Sequence, residues 1–105
     1  MRIVVRDEAD SVIWHLMAGT RGGPNRLHIL YILSARPHNA NQLTKETGLD
    51  YKTVKHHLEI LEENGLVIVS KEKKYGEMYR LTEFSKEKMK LFEKIMDKLE
   101  DLGKD

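Results

Sequence analysis

The chain has no cysteine, only two prolines and a single tryptophan among its 105 residues. Without thiols there is no disulfide framework, no thiolate nucleophile and no thiolate metal site. No apolar run approaches the roughly 20 residues of a membrane span, and the N-terminus lacks the apolar core of a signal peptide. A soluble cytoplasmic protein with no membrane partner is therefore expected. An excess of one charge is missing too: the formal net charge is +1, and no third of the chain is strongly basic. A nucleic-acid-binding face must then come from local placement of lysines, with the acids turned elsewhere. The length suits one domain with a small core, not a core plus a deep enzyme cleft. Charged residues make up 33%, and this Lys/Glu richness without cysteine would suit a heat-adapted organism.

What is present is regular punctuation. Arg2–Arg6 (RIVVR) reads as a short strand or arm. Asp7 then caps a helix to about Ala18, with Gly19 just beyond its end. Ala9, Val12, Ile13 and Leu16 share one face of that helix, and Trp14 points roughly the other way. Such a Trp touches either another subunit or this chain's own C-terminal helix. The GG before Pro24 lacks the Lys and spacing of a phosphate-binding loop and reads as a connector. Pro24 to about Ala35 is apolar over much of its surface, as a central helix should be, and Arg36-Pro37 ends it. Asn39 or Asn41 caps a short helix, Ala40 to Thr47, anchored by Leu43. Gly48 ends it. Asp50 caps the next, Tyr51 to Asn64, and Gly65 closes that one. Leu66–Ser70 reads as a strand, Lys71–Glu77 as a turn, and Met78–Leu81 as the returning strand. Thr82 caps a long final helix. Two short helices around a tight GLD turn, followed by a hairpin, make a helix-turn-helix with a wing. The fold class expected is mainly α with a small β-hairpin: a winged helix-turn-helix with a long C-terminal helix.

The adjacent His56 and His57 raise the question of chemistry. At 100° per residue, Val54, Leu58 and Leu61 share the buried stripe, with Tyr51 and His57 on its flanks. Lys52, His56 and Glu59 lie opposite, and Lys55 sits on the shoulder. Neighbouring helix residues diverge too far to chelate together, since helical ligand pairs stand three or four apart. Asp97, Glu93 and Glu100 have no His companion, and His15, His28 and His38 are scattered. No metal, no cofactor and no catalytic set is expected. The outward face instead suits a DNA major groove. Lys52, Lys55 and His56 reach phosphates or base edges, and Tyr51 and Thr53 donate to phosphates. Asp50 and Glu59 oppose phosphate and are expected to cap or turn aside. Lys73, Lys74 and Tyr75 form a basic tip on the hairpin, suited to the backbone or the minor groove. A charged helix face can also be merely solvated; its place between a short helix and a basic hairpin argues for DNA.

On the final helix Phe92, Ile95, Leu99 and Leu102 follow a 4-3 seam. The helix either packs on its own domain or joins Trp14 in a homodimer interface. A twofold dimer would set two recognition helices about 34 Å apart on an inverted repeat.

LTKETGLDYKTVKHHLEILEENGLV followed by VSKEKKYGEMYRLTE resembles winged-helix regulators of the ArsR type, especially archaeal members with a YKTV-HHL core. PNRLHILYIL resembles the P-x-R-x-x-I-L helix of that family. The likeness covers roughly Pro24 to Glu83. It implies a transcription regulator whose second motif helix reads DNA, with contact roles for Tyr51, Lys52, Lys55 and His56. It gives His57 a structural or phosphate-orienting role. Metal-sensing members use cysteines beside the motif or Asp/His sets on the last helix, and neither is present. The resemblance identifies no effector. The organisation expected is a DNA-binding part at 1–82 and a dimerisation helix at 83–105 within one compact unit. The competing expectation is a winged helix used as a protein-interaction module, which the near-neutral charge favours.

Overall fold

The computed structural model describes residues 8–102. The expected strand at Arg2–Arg6 and cap at Asp7 lie outside the described residues. The elements are α1 (Glu8–Ala18), α2 (Gly23–Ala35), β1 (His38–Asn39), α3 (Ala40–Thr47), α4 (Tyr51–Glu63), β2 (Val67–Glu72), β3 (Gly76–Leu81), α5 (Glu83–Glu87) and α6 (Met89–Leu102). The strands form one antiparallel sheet in the order β1-β3-β2. This is a mainly helical winged helix-turn-helix: α3 and α4 are the motif, and β2 and β3 are the wing.

Local chemistry fixes most boundaries. The α3 cap is Asn39, not Asn41. Its Oδ1 accepts from Gln42 N, and its own N–H donates to Gln42 Oε1, both at 2.8 Å. This reciprocal box satisfies two donors that a helix start leaves open. Gly48 ends α3 at φ 76°, a left-handed conformation that costs glycine little. Asp50 Oδ1 accepts from Thr53 N at 2.8 Å and starts α4. Leu27, Ile29, Leu30 and Leu33 of α2 are all buried, and α2 packs against α1, α3, α4, α6 and β3. The motif is therefore mounted on a helix with little freedom to shift.

Several expectations need correction. The final helix is not continuous. At Lys88 (φ −95°, ψ 5°) the ladder tightens, and its N–H bonds to Ser85 O at 3.0 Å and Phe84 O at 3.2 Å. The bend has two anchors: buried Ser85 donates its hydroxyl to Leu66 O at 2.6 Å, and Lys88 Nζ pairs with Asp10 Oδ1 at 2.7 Å. The inward face of α1 is Asp10, Ile13 and Met17 rather than the Val12 side. Drawing Asp10 in toward Lys88 leaves Val12 43% exposed. The Val12 side instead lines an apolar groove with Leu66 and Phe84. The wing is longer than expected: β2 runs to Glu72 and β3 begins at Gly76. The Lys/Glu alternation there belongs to an exposed ladder rather than a turn. β1 went unseen because two residues carry no periodicity, and it exists only through its pairing with β3. Helix α4 ends one residue early, with Asn64 as its cap.

Candidate nucleic-acid interface

Val54, Leu58 and Leu61 are 0%, 1% and 0% exposed. These anchors roll α4 so that Tyr51, Lys52, His56 and Glu59 face outward, as the wheel predicts. Thr53 is half-buried, and its hydroxyl donates to Asp50 Oδ2 at 3.1 Å. The two Thr53 hydrogen bonds hold the Asp50 carboxyl below its usual pKa, so the cap stays ionised near neutrality. The wing tip exposes Lys73, Lys74 and Tyr75. Lys74 Nζ lies 5.3 Å from the Tyr75 ring centre. Lys52, Lys73 and Lys74 form no salt bridge within the described residues.

Helix and wing belong to one surface. Tyr51 and Lys55 of α4 face Tyr75, Glu77 and Tyr79 of the wing across a cleft of about 190 Å³ floored by Asn39 and Ala40. Asn39 Nδ2 also donates to Tyr75 O at 3.2 Å, so the residue that caps α3 holds the wing tip. Lys55 differs from its neighbours. Its side chain is 28% exposed and turns to the wing. Its Nζ donates to Tyr79 Oη at 2.9 Å and to Glu77 Oε1 at 3.3 Å. Arg80 is held by Ser70 Oγ at 3.1 Å and Glu72 at 3.6 Å.

The histidine pair divides as its two faces demand. His56 is exposed and His57 is 5% exposed. Arg26 Nη1 lies 3.3 Å from His57 Nδ1. A guanidinium only donates, so Nδ1 accepts and the His57 proton sits on Nε2. Burial first, then the Arg26 and His56 charges, push the His57 pKa below its usual 6.5. The sign follows. Neutral His57 stabilises the fold fully above about pH 6.5, and that stability is lost as pH falls from there through the folded pKa. The urea midpoint is expected to be lower at pH 5 than at pH 7, and His57→Gln should narrow the difference. His15 and His28 are exposed. His38 is 2% exposed, more buried than expected. Its Nδ1 donates to Arg36 O at 2.8 Å, and its Nε2 lies 2.6 Å from Glu46 Oε2 without hydrogen-bond alignment. Among the described residues no three His, Asp or Glu side chains gather around a metal position. No described helix is long and apolar enough to cross a membrane.

The suggested dimer residues separate. Phe92 and Ile95 are 2% and 0% exposed and fill the protomer's own core, so they are not a free face. Trp14 and Leu99 are half-buried against that core. Leu102 is 70% exposed. Sequence reasoning assigned no role to Arg26, Glu77 or Tyr79. Their roles depend on partners 31, 22 and 24 positions away, which no local pattern reports.

Comparison with known proteins agrees with this geometry. Residues 23–69 match the profile described as "Bacterial regulatory protein, arsR family". A transcriptional regulator homologue from Pyrococcus horikoshii OT3 is 26% identical, with a TM-score of 0.66 over 90% of this chain and 96% of that one. The homodimeric winged helix-turn-helix DNA-binding domain of a possible ArsR-family transcriptional regulator from Mycobacterium bovis is 20% identical. It has a TM-score of 0.63 over 90% of this chain and 91% of that one, a likeness of fold. Among curated proteins none matches significantly.

Proposed function

We propose that this arsR-family winged-helix chain is a sequence-specific regulator of transcription that binds double-stranded DNA as a homodimer, without a cofactor. One observation carries the reading. The only helix face that Val54, Leu58 and Leu61 leave outward bears Lys52 and His56, and it borders the same cleft as the lysine-bearing wing tip. In this reading α4 enters the major groove, where His56 and Lys52 meet base edges and phosphates. Tyr51 donates to the backbone. Thr53 does so when it swings from Asp50. Lys73, Lys74 and Tyr75 lie along the flanking backbone.

The dimer reading rests on α1 and α6. Residues 1–82 form the DNA-binding part, and 83–105 supply the dimerisation helix. Leu102, Leu99 and Trp14 present apolar surface to a second copy, with Phe92 and Ile95 supporting them from inside. The homodimeric state of the Mycobacterium bovis domain supports this arrangement. A twofold pair of α4 helices fits an inverted repeat with half-sites about 34 Å apart. The N-terminal location of the regulator within a cell is cytoplasmic in this reading.

The test is selection of bound fragments from random duplexes, with solution mass measured in parallel. On the selected site His56→Ala is expected to bind roughly 10-fold more weakly, with little change on scrambled DNA. The Lys73→Ala/Lys74→Ala pair should weaken both alike and lower the salt slope by about two. Equal loss on all sequences from every variant would reject this division of labour. Negligible duplex binding at low salt would favour the protein-interaction module instead.

A further inference from the structure

Lys55 lies at the start of the recognition helix, where a cation would be expected to serve DNA, yet the structure puts its charge to another use. The side chain crosses the cleft to the wing. Its ammonium donates to Tyr79 Oη at 2.9 Å and to Glu77 Oε1 at 3.3 Å, and it stands 5.6 Å from the Tyr79 ring centre. Tyr79 is 4% exposed and sits on the central strand of the sheet, paired with His38 on one side and Val69 on the other. Lys55 is thus fastened to the most firmly held strand of the wing, not to a mobile tip.

We propose that Lys55 is a positioning residue: a strut between α4 and β3 that fixes the angle of the wing to the recognition helix and makes no contact with DNA itself. The inference rests on the DNA-binding reading for its functional consequence, but not for the strut. Three features support it. The ammonium's hydrogen bonds are met within the protein, and the Tyr79 hydroxyl is the leading cause that raises its pKa above the usual lysine value. A move to a phosphate would leave Glu77, 54% exposed beside the cleft, as an unneutralised carboxylate facing the duplex. Finally, the wing has a second tie to the motif, from Asn39 Nδ2 to Tyr75 O. With one bond at the tip and one at mid-strand, the hairpin is held at two points along its length. Rotation about either bond alone is blocked. A preorganised wing pays less ordering cost when the backbone docks against it.

The strut and a DNA contact predict different data. Lys55→Met keeps the aliphatic stem and removes the charge. If Lys55 is a strut, amide exchange in β2 and β3 of the free protein quickens several-fold, and affinity for the selected duplex falls about 10-fold. The slope of log affinity on log salt stays unchanged, because no phosphate contact is lost. Tyr79→Phe, which removes a buried hydroxyl only, moves the same readouts in the same direction. The double exchange Lys55→Glu/Glu77→Lys retains an ion pair across the cleft and a carboxylate that accepts from the tyrosine hydroxyl. It should return affinity to within about 3-fold of the parent. A salt slope reduced by about one in Lys55→Met, or no recovery in the double exchange, would overturn the proposal. So would unchanged wing exchange, which needs no DNA and is read even if the parent binds none. Absence of duplex binding by the parent protein would instead sink the DNA-binding reading, which separates the two failures.

Discussion

Gly23→Ala is expected to lower the melting temperature by roughly 10–20 °C, which corresponds to about 3 kcal/mol or more. A methyl group at this position would stand 1.9 Å from Met17 O and 2.4 Å from Met17 C. Both are backbone atoms of the last turn of α1, so no rotamer change relieves the clash. The start of α2 and the end of α1 are in direct backbone contact, and only a residue without Cβ permits it. To admit the methyl group α1 must lift. That movement would unseat Met17 and Ile13, which are 0% and 2% exposed, and strain the Asp10–Lys88 pair that holds the α5–α6 bend. The gain in helix propensity from glycine to alanine, at most about 1 kcal/mol, does not offset this. A control separates steric from conformational cost. Gly48 has nothing within 4 Å of an added Cβ, but its φ is 76°, so Gly48→Ala should cost only about 1–2 kcal/mol. Thermal and urea melts measure both. A Gly23→Ala protein melting within 2–3 °C of the parent, on the same scale, would show that α1 is not pressed onto α2 as described.

That glycine also shows where the sequence was legible and where it was not. Features governed by neighbours were readable. The αL turn at Gly48, the caps at Asp50 and Thr82, and the roll of α4 on Val54, Leu58 and Leu61 all depend on residues within one or two helical turns. The exposed lysines of α4 and the wing followed from that roll. Features set by distant partners were not readable. GG before Pro24 looked like a connector because nothing nearby shows that Met17 lies against it. A continuous final helix was the natural reading of Phe84 to Leu102, since no breaker stands at Lys88. The bend comes from Leu66 O and Asp10, outside that segment. The seam Phe92–Ile95–Leu99–Leu102 was read correctly as apolar, but periodicity does not distinguish a protomer's core from a partner's surface, and the bend delivers Phe92 and Ile95 to the core. Lys55 sits on the shoulder of the wheel, and its acceptors are on the other side of the wing turn.

Arg26→Met is the second large effect, and it bears directly on the recognition helix. Arg26 is 4% exposed. Its Nη2 and Nε donate to Leu16 O at 2.8 and 3.2 Å, Nη2 also donates to Thr20 Oγ1, and Nη1 reaches His57 Nδ1 at 3.3 Å. One side chain of α2 thus ties the end of α1 to the buried side of α4. Hydrogen bonds from a charged donor contribute about 1.5–3 kcal/mol each. The desolvation cost of a buried guanidinium, which also lowers its pKa, offsets part of their sum. A net loss of about 2–3 kcal/mol is expected in urea unfolding, with the m-value unchanged. Arg26→Lys should recover little, because one ammonium cannot span Leu16 O and His57 with the geometry of a planar fork. The substitution has a second, independent signature. Removing the Arg26 cation deletes one cause of the low His57 pKa while leaving burial, the larger one. The His57 pKa should therefore rise toward 6.5 without reaching it, as NMR titration of the ring would record. Because the gap between folded and unfolded pKa narrows, the loss of stability between pH 7 and pH 5 should also become shallower. A general loosening of the core would lower stability without this directed shift. If the His57 titration is unmoved while stability falls, Arg26 holds α1 alone and the link to the recognition helix is absent.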